Sequence, residues 1–385
     1  MQDLIQSACA ATTSEPDMSS VESTGESPVR LAARRSTVHL VGAQLGDSNT
    51  RIIDWVAAGP AADSRMVGGC LWATADEIDV AEGTLGMFRQ LDHTYGARRY
   101  APQVAAYISG ELADLLGRPA ATEEVVRHRA RVATGFLELA GYQAVDTGDH
   151  ELAQSYYQRA LTLTAAANDR PYGAYLVAVN LGHLALHCGR PEIALTWVSS
   201  AHAAAGTSAS PATRAAITAV LARAHARMGE ESEASRLLVQ AESLLDGADP
   251  EDEPGWISYF TPAYLADEAA HCLHDLGHAP AARHQLADAL DGVGRDKVRR
   301  LAIDATLLAS TWLRTGDLDQ ACTVGTEAVG YAARTGSGRC VQRVAGLLAE
   351  LEPHASHASV AGLRDFAREV LPDADQLAFS MRRIG

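Results

Sequence analysis

Gly148-Asp149-His150-Glu151-Leu152-Ala153-Gln154-Ser155-Tyr156-Tyr157-Gln158-Arg159-Ala160 decides the fold, because its spacing recurs. A glycine, an alanine five residues on and a second alanine seven further return at Gly189–Ala194–Ala201, Gly229–Ala234–Ala241, Gly277–Ala282–Ala289 and Gly316–Ala321–Ala328. A small residue stands seven positions before each glycine: Gly141, Gly182, Ala222, Ala270 and Ala309. Each glycine is placed to end one helix in the left-handed conformation that a residue without Cβ adopts freely. The two alanines lie two turns apart on one face of the next helix. Small residues at all three places let the two helices of a hairpin pack closely. Leu152, Tyr156, Tyr157, Ala160 and Leu161 complete an apolar stripe on a second helix, and Leu301, Ala305, Leu308 and Trp312 on a first. The expected fold is all-α, built of antiparallel helix hairpins.

Outward from the repeats, helices are expected over 76–92 and 101–116. Another starts after Thr122, whose hydroxyl is suited to cap orphan amides. Residues 1–35, rich in Ser, Thr, Glu and Pro, read as a disordered tail. Residues 36–75 read as an irregular segment, 76–371 as the helical repeat domain and 372–385 as a C-terminal tail.

The chain has 385 residues and a formal net charge of −16. Such a chain as a whole repels a phosphate backbone. Its six cysteines, at 9, 70, 188, 272, 322 and 340, form no Cys-x-x-Cys pair and suit a reducing cytoplasm. The N-terminus lacks the pattern of a signal peptide, and no apolar run is long enough to span a membrane.

The repeat resembles the tetratricopeptide repeat, whose small residues occupy matching places in the two helices. Asn180-Leu181-Gly182 and Gly148-Asp149-His150-Glu151-Leu152-Ala153 carry the likeness. The resemblance implies an α-solenoid with a concave inner surface. The copies depart from it in being 41, 40, 48 and 39 residues apart, against a unit of about 34. Over roughly 76–371 the chain looks like the sensor region of actinobacterial tetratricopeptide transcriptional regulators. The likeness lies in Phe88–Asp92 with Tyr95-Gly96, Glu138–Tyr142 with Asp146–Gly148, Glu253–Phe260, Ala266–Glu268 with His271–Leu273, and Gly316–Cys322. This resemblance implies regulation of development or secondary metabolism, and leaves dimerisation through the terminal repeats open. Such regulators carry an N-terminal helix-turn-helix domain. Here only Leu45–Trp55 faintly suggests a turn and recognition helix, so direct DNA contact is the second functional expectation.

No phosphate-binding Gly-rich loop with Lys-Ser or Lys-Thr, nucleophile elbow or zinc-protease helix occurs. The expectation is a binding protein, not an enzyme, with no cofactor and no metal. His271, His274 and Asp267 are spaced to share a helix face, where a polar groove lining is the favoured reading over a ligand set.

Projecting the repeat register places Glu138, Tyr142, His183, His187, Arg223, Arg227, Tyr264, Asp267, His271, His274, Thr306, Ser310 and Arg314 on the inner surface. A peptide, a protein segment or a small signal molecule is the expected partner. Arg223, Arg227 and Arg314 suit acidic groups or a terminal carboxylate. Arg295–Arg300, with Lys297, is the densest basic run and is expected at a water-exposed helix start.

Overall fold

The structure, a computed structural model, describes residues 72–381. The expected tail over 1–35, the Leu45–Trp55 segment and residues 382–385 lie outside them. Every regular element among the described residues is helical, apart from one isolated bridge between Ala73 and Ala120. None of these helices is long and apolar enough to cross a membrane.

Three segments lead into the array: α1 (Ala75–Tyr95), α2 (Ala97–Tyr107) and the short α3 (Ala113–Gly117), which is joined to α2 by a π turn over Ile108–Leu112. Thr74 starts α1 with a capping box, accepting from the Glu77 amide while Glu77 reaches back. Thr122 caps α4 (Glu123–Thr147) as expected, accepting from the Val125 amide.

The hairpins follow. They are α4 with α5 (His150–Ala166), and α6 (Arg170–Tyr175), a π turn (Leu176–Leu181) and α7 (Gly182–His187) with α8 (Pro191–Ala205). Next come α9 (Pro211–Arg227) with α10 (Glu231–Asp246), α11 (Pro262–Asp275) with α12 (Ala279–Gly292), and α13 (Val298–Arg314) with α14 (Leu318–Thr335). The chain closes with α15 (Gly338–Glu350), α16 (Ala358–Val370) and α17 (Pro372–Met381). The last corrects the expected tail over 372–385: Ala374 and Ala378 are buried and α17 packs on α15.

The motif does at every junction what its residue types require. Gly148, Gly189, Gly229, Gly277 and Gly316 all have positive φ, between 71° and 87°. Each amide donates three residues back, and the next residue's amide five back, the same helix-ending bond pair five times over. All ten motif alanines are 0% exposed, as are Ala222, Ala270 and Ala309. A Cβ on Gly141 would lie 2.4 Å from the Tyr157 ring, and one on Gly182 would lie 2.7 Å from Val198. The hairpins are therefore sized by methyl groups, where any larger side chain would push the helices apart.

Neighbouring first helices touch in turn, from α4 through the π turn of the second hairpin, α9, α11 and α13 to α15, and α15 returns to α4. The helix α1 packs against α4 and also against α13 and α14. Two glycines permit the close approach of the two ends of the helical array. A Cβ on Gly96 would lie 2.0 Å from the Thr335 carbonyl oxygen, and one on Gly338 would lie 2.6 Å from that of Asp146.

The longer spacing between Gly229 and Gly277 is taken up by the 247–261 loop. Its Glu253 accepts from the Ala212 amide at the start of α9. Its Trp256 stacks on Tyr172 at 4.5 Å, and its Tyr259 hydroxyl pairs with that of Tyr175 at 2.9 Å. The insertion thus covers the first helix of the second hairpin with an aromatic cluster.

Candidate functional site

The residues projected onto the inner surface come together, but as a network of pairs rather than an open row. Glu138 on α4 is buried and accepts from the Tyr172 hydroxyl at 2.7 Å and from Arg89 at 3.0 Å. Next along, Glu268 on α11 faces His183 at 3.2 Å and Arg223 at 3.0 Å. Burial opposes the Glu268 charge, but His183 and Arg223 outweigh it and hold the carboxyl well below its usual range.

Arg227 approaches Asp275 at 3.5 Å. His274 meets the Ser310 hydroxyl at 3.1 Å, which donates to Glu350 at 2.7 Å, and Arg314 donates to the His274 carbonyl at 2.9 Å. His271 stands 3.6 Å from Asp267, whose other oxygen lies 3.3 Å from Arg300. Arg300 also donates to Asp304 at 2.8 Å. Burial and then the neighbouring Asp267 raise the Asp304 carboxyl well above its usual range. Tyr142 lies between two guanidiniums, Arg299 at 4.6 Å and Arg339 at 4.4 Å from its ring centre.

Glu138, Asp267, His271, Thr306 and Ser310 are thus buried, not presented to a partner. Thr306 spends its hydroxyl on the Ala302 carbonyl one turn back. Arg299 and Arg300, expected at a wet helix start, are held inside. Arg299 is 2% exposed because Asp92, at 2.6 Å, and Asp146, at 3.4 Å, offset its charge.

The register missed Glu268, Asp275 and Asp304, the acids that neutralise the predicted bases. It also missed Arg339 and Arg343, which lie one turn apart on α15, where the Gly–Ala–Ala spacing does not recur. Arg343 differs from its neighbours. It reaches water and has no hydrogen bond or ion pair among the described residues. Surrounding protein, and then Arg223, pull its guanidinium down to about 10. Burial, Arg339 and then Arg343 lower His187 to about 4, and burial with Arg223 and Arg343 takes His271 well below the usual imidazole range. Arg223 Nε and Arg339 Nη2 are buried without hydrogen-bond partners. Around Arg343, Arg223 and Arg339 are paired with Glu268 and Asp146, and Asp275 and Asp267 act on Arg343 against the pull of its basic neighbours.

His271, His274 and Asp267 do not converge as a ligand set; the two rings turn to different partners. Among the described residues, metal-capable atoms gather only at Asp79, Glu82 and His128. There the two ring nitrogens of His128 face separate carboxylates, Nε2 to Glu82 at 3.2 Å and Nδ1 to Asp79 at 3.8 Å.

No protein-family model matches the chain, and a search of curated proteins returns no match.

Proposed function

We propose that the chain is a non-catalytic, tetratricopeptide-like regulatory protein whose inner surface captures an acidic peptide or protein segment. The supporting observation is Arg343, an exposed guanidinium with no direct hydrogen bond or ion pair among the described residues, beside bases that are already paired. An incoming carboxylate would meet Arg343, replacing water with charge-assisted bonds. A small acidic signal molecule satisfies the same chemistry. The unbridged thiols of Cys188, Cys272, Cys322 and Cys340 support a reducing cytoplasm as the place of action.

Fluorescence anisotropy with the full chain tests this. A labelled acidic peptide with a free C-terminus should bind. Its amidated counterpart with Gln for Glu should not. Arg343→Gln should weaken the acidic peptide by about tenfold, the worth of one charge-assisted bond. Equal binding of acidic, neutral and basic peptides would remove the reading.

A further inference from the structure

A separate cavity of about 240 Å³ opens where the two ends of the array meet. Its walls include His93 on α1, Tyr142 on α4, Tyr264 on α11, and Lys297, Arg299 and Arg300 at the start of α13. Three cationic side chains line it and no carboxylate does, in a chain with 48 acids against 32 bases.

Two of the cations are fixed. Arg299 is held by Asp92 and Asp146, and Arg300 by Asp267 and Asp304, all from outside the cavity wall. Their guanidiniums also cover the Tyr142 and Tyr264 rings, at 4.6 Å and 3.9 Å from the ring centres. The third is Lys297, the only lysine in the sequence. It has no ion pair among the described residues. As the residue preceding α13 it makes no side-chain cap, so the first amides of this 17-residue helix have no side-chain acceptor. We propose that this cavity binds a small oxyanion, a phosphate or carboxylate group on a compact molecule, with Lys297 and the first amides of α13 as its contacts.

The volume lies below that of a typical drug-sized site, about 300 Å³ and upward, which favours a compact molecule over a peptide. Lys297 supplies a mobile counter-charge and the helix start aligned donors, while Arg299 and Arg300, each paired with two acids, hold the wall in place. Burial first, and then Lys297 and Arg299, push the His93 ring down to about 3, so it stays neutral. Asp296 is the only acid among the ring's main influences and acts in the opposite direction. Because the walls come from both ends of the array, an anion bound here favours the closed arrangement. This inference does not depend on Arg343 or on peptide capture.

The single lysine makes the test specific. Full-length protein is treated with pyridoxal 5′-phosphate. The amine attacks the aldehyde carbon with loss of water, and borohydride then reduces the imine to a stable secondary amine that peptide mass mapping locates. The N-terminal amine serves as internal standard. Lys297 should be labelled about tenfold faster than by pyridoxal, which lacks the phosphate. Millimolar pyrophosphate or citrate should protect it, and whichever protects better tells a phosphate source from a carboxylate one. The same anions should raise the melting temperature by about 2 °C or more, an effect lost in Lys297→Gln and retained in Lys297→Arg. Equal labelling by pyridoxal and its phosphate, with no protection and no thermal shift, would overturn the proposal. Peptide binding at Arg343 would be untouched by that result.

Discussion

Arg299 on α13 donates to Asp92 on α1 at 2.6 Å, across 207 positions of sequence. The same guanidinium reaches Asp146 on α4 at 3.4 Å, and Arg339 and Ser337 join Asp146 from the far side. Asp146 is fully buried. Burial opposes its charge, but Arg299 and Arg339 outweigh that and hold the carboxyl below its usual range. A repeat array held only by neighbour contacts needs no such bond. This one fastens its first hairpin to its last, and the polar interior and the cavity both depend on that seam.

Glycine plays two separable roles. At Gly229 nothing lies within 4 Å of an added Cβ, but φ is 78°, so Gly229→Ala carries only the backbone cost of about 1–2 kcal/mol. At Gly338 the conformation is ordinary, but a Cβ would lie 2.6 Å from the Asp146 carbonyl oxygen, so Gly338→Ala should strain the seam itself. Inside α15, Gly346 has nothing within 4 Å, and Gly346→Ala should stabilise by about 0.5–1 kcal/mol. Urea unfolding of the three variants checks the order. A neutral Gly338→Ala would deny the close approach.

The motif alanines should resist enlargement. Ala234 is wholly buried between α9 and α10, so Ala234→Val should destabilise by about 1–3 kcal/mol through overpacking. Ala203, on the exposed side of α8, should accept leucine within about 0.5 kcal/mol. Matching thermal shifts for the two variants would mean that the alanines do not set the helix spacing.

Acid should destabilise the fold before its carboxylates protonate. His93 and His187 titrate near 3 and 4 in the folded chain, below the 6.5 of a free imidazole. Above pH 6.5 neither folded nor unfolded rings bind protons, and they do not affect stability. Below it the unfolded chain binds first, and each ring removes about 1.4 kcal/mol per pH unit until its folded value is reached. Glu268, Asp146 and Asp275, all lowered in the folded state, add their loss below about pH 4. Asp304, raised by burial and by Asp267, works in the opposite sense. The urea midpoint should therefore fall steadily from pH 7 to 5, less steeply in His187→Gln. A flat profile would show these rings to be solvated.

What the sequence disclosed was local. Each motif glycine states a backbone angle and each motif alanine a contact distance, and both recur at fixed offsets, so the hairpins were readable. The seam was not. Asp92 and Arg299 lie in different segments, and periodicity speaks only of neighbours along the array. The inner face was half-readable for the same reason. The register found Arg223 and His183 but not that Glu268 lies between them, because a charge's partner depends on how one hairpin tilts against the next. Lys297 drew notice as part of a basic run, while the burial of Arg299 beside it depends on two acids far away in sequence.

A double-mutant cycle between Asp92 and Arg299 tests the closed array most directly. Asp92→Asn, Arg299→Gln and the double variant would be unfolded in urea under identical conditions. Breaking a buried pair from one side should cost about 3–5 kcal/mol, and the coupling between the two positions should exceed about 1 kcal/mol. Strictly additive effects, with coupling near zero, would mean that α1 and the last hairpin do not meet.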